Sequence, residues 1–214
     1  MLRSIKTYFF LAVMVMALGF SPWVGAAEMA DQAAAPAAPA AEKKAPMMDE
    51  AMMAKWKEAA SPNEHHKILE PLVGNWEYSM KMWMTPDAPP EESSGTQSTQ
   101  WVMDGRFIEQ TADGESMGQP FHGQGITGYD NGTQQYMSVW YDNMATWMMI
   151  SSGTYDAAAK KLTMNGAMVC PIKGPMTFRW VTTITGPDSY TFECFTTQEG
   201  KEFQSMEIKF KRKA

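Results

Sequence analysis

The sequence predicts an all-β fold: about ten antiparallel strands closed into an up-and-down barrel, with short helices before them. Three observations carry this. From Gly74-Asn75-Trp76 onward, the apolar residues Tyr78, Met80 and Met82 alternate with Glu77, Ser79 and Lys81, the period of a strand with one face in a core and one in water. Short runs rich in aromatic, Thr, Val and Met residues continue to the C-terminus, and helical periodicity does not return. Turn dipeptides punctuate them: Asp104-Gly105, Asp113-Gly114, Asp130-Asn131-Gly132, Gly186-Pro187-Asp188 and Glu199-Gly200. Strands are expected near 74–85, 96–103, 106–112, 119–129, 134–142, 144–154, 161–170, 175–185, 189–197 and 202–212. Short connections pair sequential neighbours, and closure removes exposed sheet edges. An open sandwich without a cavity is the alternative assembly.

Before the strands the chain divides into three stretches. Arg3 and Lys6 precede an apolar run from Tyr8 to Phe20, and small residues follow at Val24-Gly25-Ala26-Ala27. This is the pattern of a secretory signal peptide, residues 1–27, cleaved near Ala26 or Ala27. A secreted or periplasmic location follows as an expectation, with no membrane span after cleavage. Residues 28–47 are rich in Ala and Pro and read as a disordered tether. Residues 48–214 remain as a single domain, opened by a helical segment over 48–72. Met48, Met52, Met53 and Trp56 mark one short amphipathic helix there. Ser61-Pro62-Asn63-Glu64 starts a second, with Ser61 as the cap and Pro71 as the stop.

The net charge of −6 argues against nucleic acid and anionic membrane surfaces as partners. Of the two cysteines, Cys170 and Cys194, a strict meander puts one strand between them. Next-nearest strands lie about 9–10 Å apart, beyond the roughly 7 Å reach of a disulfide. A bend at Pro171 keeps a bridge open as an alternative to two buried thiols.

An ordered set of segments resembles the bacterial domain-of-unknown-function family 1579, whose expected fold is lipocalin-like (calycin). The set begins with His66-Lys67-Ile68-Leu69 leading into Leu72-Val73-Gly74-Asn75-Trp76. Gly105-Arg106-Phe107, Pro120-Phe121-His122-Gly123, Gly128-Tyr129-Asp130-Asn131 and Trp140-Tyr141-Asp142 follow, and Met206-Glu207-Ile208-Lys209-Phe210 with Arg212 ends it. The resemblance implies a fold and no activity. It also implies a basic residue of the last strand over the Gly-x-Trp indole; Lys209, Lys211 and Arg212 are the candidates.

A barrel with Met- and aromatic-rich inner faces suits a small apolar or amphipathic ligand. The candidate contacts are Trp76, Tyr78, Met80, Met82, Tyr129 and Trp140, with Arg106 and His122 as polar contacts. Met80, Met82 and Met84 share one parity and form an alternative soft-metal site suited to Cu(I). Met is also an ordinary adaptable core filler, and some of the 21 Met residues lie in the tether and first helix. Arg179 sits between Phe178 and Trp180, so its own parity is the solvent side. Residues 136–142 and 147–150 are apolar on both faces, so their outer face is covered by the Trp56 helix or forms an association surface such as a homodimer. No zinc spacing, phosphate loop, dinucleotide fingerprint or nucleophile elbow appears, so no cofactor is expected and binding is favoured over catalysis. A structural or interaction module with a packed barrel is the remaining reading.

Overall fold

In the computed structural model, ten antiparallel strands hydrogen-bond in sequence order and the first pairs with the last, closing the barrel. The structure describes residues 49–198 and 200–214. The expected signal peptide and tether lie outside the described residues. The strands are β1 Gly74–Met82, β2 Glu91–Val102, β3 Phe107–Ser116, β4 Gln119–Asp130, β5 Gln135–Asp142, β6 Met149–Asp156, β7 Lys161–Cys170, β8 Gly174–Gly186, β9 Ser189–Gln198 and β10 Lys201–Arg212. Helices α1 Glu50–Ala59 and α2 Glu64–Lys67 precede them, followed by a single 3-10 turn, Glu70–Leu72.

Four strand boundaries differ from the expected ones by three residues or more, the first being β1, which ends at Met82 rather than near residue 85. Asp113-Gly114 does not turn; it lies within β3, and the reversal falls at Met117-Gly118, both at positive φ. The polar run Glu91-Glu92-Ser93-Ser94 belongs to β2, because it pairs along the full length of β1. Residues 143–148 are a loop, because Asp142 accepts the Met144 N–H and Asn143 bonds across to Pro120 and His122.

Parity divides every strand. The core holds Trp76, Tyr78, Ile108, Tyr136, Leu162, Met164, Phe178, Trp180, Tyr190 and Phe210, all facing inward. Arg179 faces out as expected, paired bidentately with Glu202 and lying 4.1 Å over the Phe195 ring. Cys170 and Cys194 are free. Cys194 is opposite Trp180 and Trp180 opposite Met164, whereas Cys170 is six residues further along β7. That offset is about 20 Å of strand, so no bridge can form.

The hairpin turns after β2, β4, β6 and β8 share one end of the barrel with both termini of the sheet, and this end is sealed. Leu69 and Leu72 are buried across it. The Tyr136 hydroxyl donates to the His65 carbonyl at 2.9 Å, and burial pushes this phenol up to about 12. The His65 ring stacks on Tyr129 with centroids 4.5 Å apart. The cap of α2 is Asn63 rather than Ser61, since the Ser61 hydroxyl donates back to Lys57. His66 completes the capping box by accepting the Asn63 N–H at Nδ1. Burial, and then the neighbouring His65, hold the His66 imidazole below its usual value. Helix α1 buries no residue, and its apolar side with Trp56 is exposed rather than laid on the barrel.

The closing seam is held by Arg212, which decides among the three basic candidates. Its guanidinium lies 4.2 Å over the Trp76 ring. Nη1 donates to the Val73 carbonyl at 2.7 Å, Nε to Asp188 Oδ1 at 3.1 Å, and Nη2 reaches the Pro71 and Pro187 carbonyls. Trp76 Nε1 donates to the Leu72 carbonyl at 2.9 Å. Gly74 has φ +134°, and a Cβ there would collide with the guanidinium, so the motif needs its glycine on both counts.

Arg212→Met should destabilise the fold by about 2–3 kcal/mol, because a cation–π contact and several charge-assisted hydrogen bonds go at once. Arg212→Lys should recover less than half of that in urea titration, since an ammonium cannot fork to several carbonyls. His66 gives a pH signature. Its folded value is lowered, so on acidification the unfolded chain takes the proton first and stability falls once the pH drops below the ordinary histidine value of about 6.5. The melting temperature should decline from pH 7 to pH 5, and His66→Gln, which keeps the capping box, should flatten that decline.

Candidate functional site

Inward side chains are not equally covered along the barrel axis. Near the sealed end Trp76 and Ile108 are 1% and 0% exposed, while Trp101, Tyr129, Tyr155 and Ile184 there are half-buried. Towards the opposite end, where the loops after β1, β3, β5, β7 and β9 gather, inward residues become half-buried: Met80, Phe121, Trp140, Met149, Met168 and Met176. The mouth half, the funnel of the barrel, thus carries a set of half-buried apolar side chains, although Ser116, Ser151 and Phe178 stay buried within it. A cleft of about 450 Å³ lies on the outer rim between the β7–β8 and β9–β10 hairpins; Ala167, Val169, Pro175, Thr177 and Thr197 line it from the outward face, and Met168 and Met176 edge it from the inward one.

The register places the lining. Trp140 on β5 is opposite Gly125 on β4 and Met149 on β6. Its indole lies against the β4 backbone, where a Cβ on Gly123 or Gly125 would strike the ring. These two glycines keep the large ring against the wall and the funnel clear. Trp140 Nε1 donates to Asp142 Oδ2 at 3.1 Å, which fixes the ring. Met168 is opposite Met176 across β7 and β8. Across β9, β10 and β1 a row of soft atoms runs Cys194, Met206, Met82. Burial raises the Cys194 thiol, although Ser205, Thr196 and Trp180 oppose this with hydrogen bonds. At the base, the Tyr78 ring tilts against Phe210 and its hydroxyl reaches the Asp113 carbonyl at 3.4 Å.

Polar atoms inside are mostly paired with one another. Gln97 Nε2 donates to the Tyr190 hydroxyl at 2.8 Å, and Thr127 donates to Ser138 at 2.9 Å. Burial keeps the Tyr190 phenol neutral. Ser93 is different. Its Oγ is buried and is the single such side-chain atom without a partner among the described residues. It faces inward on β2, directly opposite Met80.

The eight expected contact residues fall into three groups. Met80, Met82 and Trp140 line the funnel together, with Tyr78 at its base. Trp76 and Tyr129 also point inward, but they belong to the sealed end, one beneath Arg212 and the other beneath His65. Arg106 and His122 are outside, so neither is a polar contact in the interior. Arg106 lies in the β2–β3 turn, bonds to the Ala60 and Met103 carbonyls and pairs with Asp104. It also edges an outer cleft of about 500 Å³ with Met53, Trp56 and Lys57 of α1. His122 is one residue off the inward parity of Phe121 and Gly123, and its Nδ1 meets Asp113 Oδ1 at 2.7 Å on the outer wall. The soft-metal set Met80, Met82, Met84 is broken, because Met84 lies beyond the end of β1 and is exposed. Met149, Met168, Met176, Cys194, Met206 and Ser93 belong to the interior and were missed. Alternation within each strand carries their inward parity; only the strand pairing reveals how close to the mouth each one lies.

The comparisons with known proteins agree with the architecture. The description "protein of unknown function (DUF1579)" matches residues 61–212. The chain belongs to the DUF1579 family. No curated protein matches it significantly. Among solved structures, Rv2717c from M. tuberculosis is 15% identical with a TM-score of 0.53, covering 72% of this chain and 100% of its own. The S-type phycobiliprotein lyase CPES from Guillardia theta is 12% identical with a TM-score of 0.47, covering 74% and 97%. A fluorescence-activating β-barrel designed de novo is 16% identical with a TM-score of 0.39, covering 69% and 98%. At 15% identity the likeness to Rv2717c concerns the fold alone.

Proposed function

We propose that this DUF1579 member binds a small, mainly apolar molecule bearing one polar group in the mouth half of its barrel, in the secreted compartment to which its N-terminus points. The observation that carries the reading is the funnel itself: apolar inward side chains lie half-open to water in front of a sealed base. Sheets normally bury such faces, and leaving them wet forgoes about 25 cal/mol for each Å² of apolar surface. A ligand recovers that term. Methionines on the wall let it fit more than one shape, since thioether chains repack at small cost. The Ser93 hydroxyl supplies the polar hook, because an unpaired buried hydroxyl costs about 1–3 kcal/mol until something bonds to it.

The test is fluorescence titration with N-phenylnaphthylamine and with a dansyl fatty acid. Both should bind at about one per chain. Phe substituted at Met168 should weaken both about tenfold by filling the funnel, with the melting temperature little changed. Ser93→Ala should raise the stability of the empty protein while weakening the fatty acid more than the naphthylamine. Saturation by neither probe, or affinities untouched by the Met168 change, would sink the reading.

A second reading rests on the row Cys194, Met206, Met82. Cross-strand Cβ atoms lie about 4.5–5.5 Å apart, so three sulfurs on adjacent strands can converge on one soft ion such as Cu(I). Competition with a chromophoric chelator should then give one Cu(I) per chain, lost in Cys194→Ser and in Met82→Leu. Binding that survives both changes rejects the row.

A further inference from the structure

The loops at the two ends of the barrel differ in kind. Around the mouth, four of the five loops carry a large apolar side chain that is exposed: Met84 after β1, Met117 after β3, Met144, Trp147 and Met148 after β5, and Ile172 after β7. Ile172 is 91% exposed, Met148 63% and Met84 60%. At the sealed end the four turns carry only Met103 of this class among the described residues, and the exposed Met52, Met53 and Trp56 lie on one face of α1 rather than around an opening. Single exposed apolar residues are ordinary on proteins, but a ring of them around one opening is not.

Three properties of the ring select its partner. The side chains stand on separate loop tips around a hole, which suits a planar, deformable apolar layer better than the fixed relief of another protein. Trp147 is of the type that settles at the boundary between lipid headgroups and chains, and the Met and Ile side chains beside it supply apolar surface to bury there. The charges near them are not those of an anion-binding surface. Asp87, Glu91, Glu92, Glu115 and Asp142 lie at or beside the mouth, against Lys81, Lys173 and Lys201, and Lys81 is paired with Glu92. An acidic lipid leaflet would be repelled, and a neutral one would not.

We propose that the mouth of the barrel docks on the surface of a zwitterionic lipid bilayer, so that the funnel opens directly onto the lipid phase. The proposal rests on the ligand reading for its purpose, since apolar molecules concentrate in lipid. Docking by this end lets such a molecule pass between bilayer and barrel without crossing water.

The experiment is flotation of the protein with phosphatidylcholine vesicles, run beside N-phenylnaphthylamine binding in vesicle-free solution. The protein should float with phosphatidylcholine, and adding phosphatidylserine should not increase the bound fraction. The triple variant Met84→Ser, Met148→Ser, Ile172→Ser should lose about tenfold in partitioning while keeping the dye affinity of the parent chain. Tryptophan emission should shift to shorter wavelength with vesicles, less so in the triple variant and less so in Trp147→Phe. Dye binding without flotation, or flotation that the triple variant retains, overturns the docking proposal and leaves the ligand reading standing. Binding that requires phosphatidylserine and vanishes in salt also overturns it. So does a concentration-dependent dimer lost in the triple variant without any flotation, which assigns the ring to a second copy. Flotation lost in the triple variant, with no dye binding by either protein, supports docking and removes the ligand reading.

Discussion

One cation over one indole organises this barrel. A closed sheet has a seam where its first strand meets its last; here the β1–β10 ladder closes it, and its sealed end must still be tied to the turns beside it. Arg212 makes that tie by reaching three stretches of chain at once: the 3-10 turn and start of β1 through Pro71 and Val73, the β8–β9 turn through Pro187 and Asp188, and the ring of Trp76. Trp76 returns the contact by donating to Leu72, which fastens the preceding turn across the barrel end. The guanidinium thus ties the seam to the sealed end. A shift of one residue in the β1–β10 register would put Trp76 outside and Arg212 on the wrong face.

With that end sealed, the layers above it follow from packing. Tyr190 sits edge-on to Trp76, Phe210 stacks on Tyr190 at 4.2 Å, and Tyr78 tilts onto Phe210. These rings fill the lower barrel with aromatic area. Toward the mouth methionines, Cys194 and a Trp140 held flat against glycine join the rings of Phe121 and Phe178. Flexible thioethers prop a barrel interior less firmly than rings do. The change in side-chain type along the axis is what makes a funnel.

Much of this was legible in the sequence, and the failures have physical causes. Ten strands, their order and the polarity of most faces follow from alternation and turn residues. The Gly-x-Trp and the basic last strand located the seam, but three basic residues competed for the role. The register separates them: Arg212 is opposite Trp76 and shares the inward parity of Phe210, whereas Lys209 and Lys211 have the other parity and Lys209 pairs outside with Glu207. Asp113-Gly114 imitated a turn because Gly serves equally where a ring approaches a strand, and Gly114 lies against Tyr78. His122 looked interior because its neighbours Phe121 and Gly123 are, and a glycine announces no face of its own. Least legible was depth. Trp76 and Met82 share a face of β1, yet one is sealed in and the other opens to water, a difference set by which end the residues before β1 plug.

The division of the barrel also bears on how stability and binding coexist. An interior that is wet apolar surface at one end lacks part of the stabilisation that a filled barrel would have. Here the loss is confined to the mouth, while the base keeps its aromatic stack, its paired polar groups and its seam. The fold therefore does not need an occupant in order to close. An occupant adds stability in proportion to the logarithm of its concentration over its dissociation constant, and the gain acts on the mouth strands, where inward contacts are fewest. The outward row Ile126, Val139, Ile150 and Ala167 crosses these same strands and is left uncovered by α1. Both faces of β4 to β7 are thus apolar near the mouth, and this quarter of the wall is the part whose packing depends most on what the barrel meets.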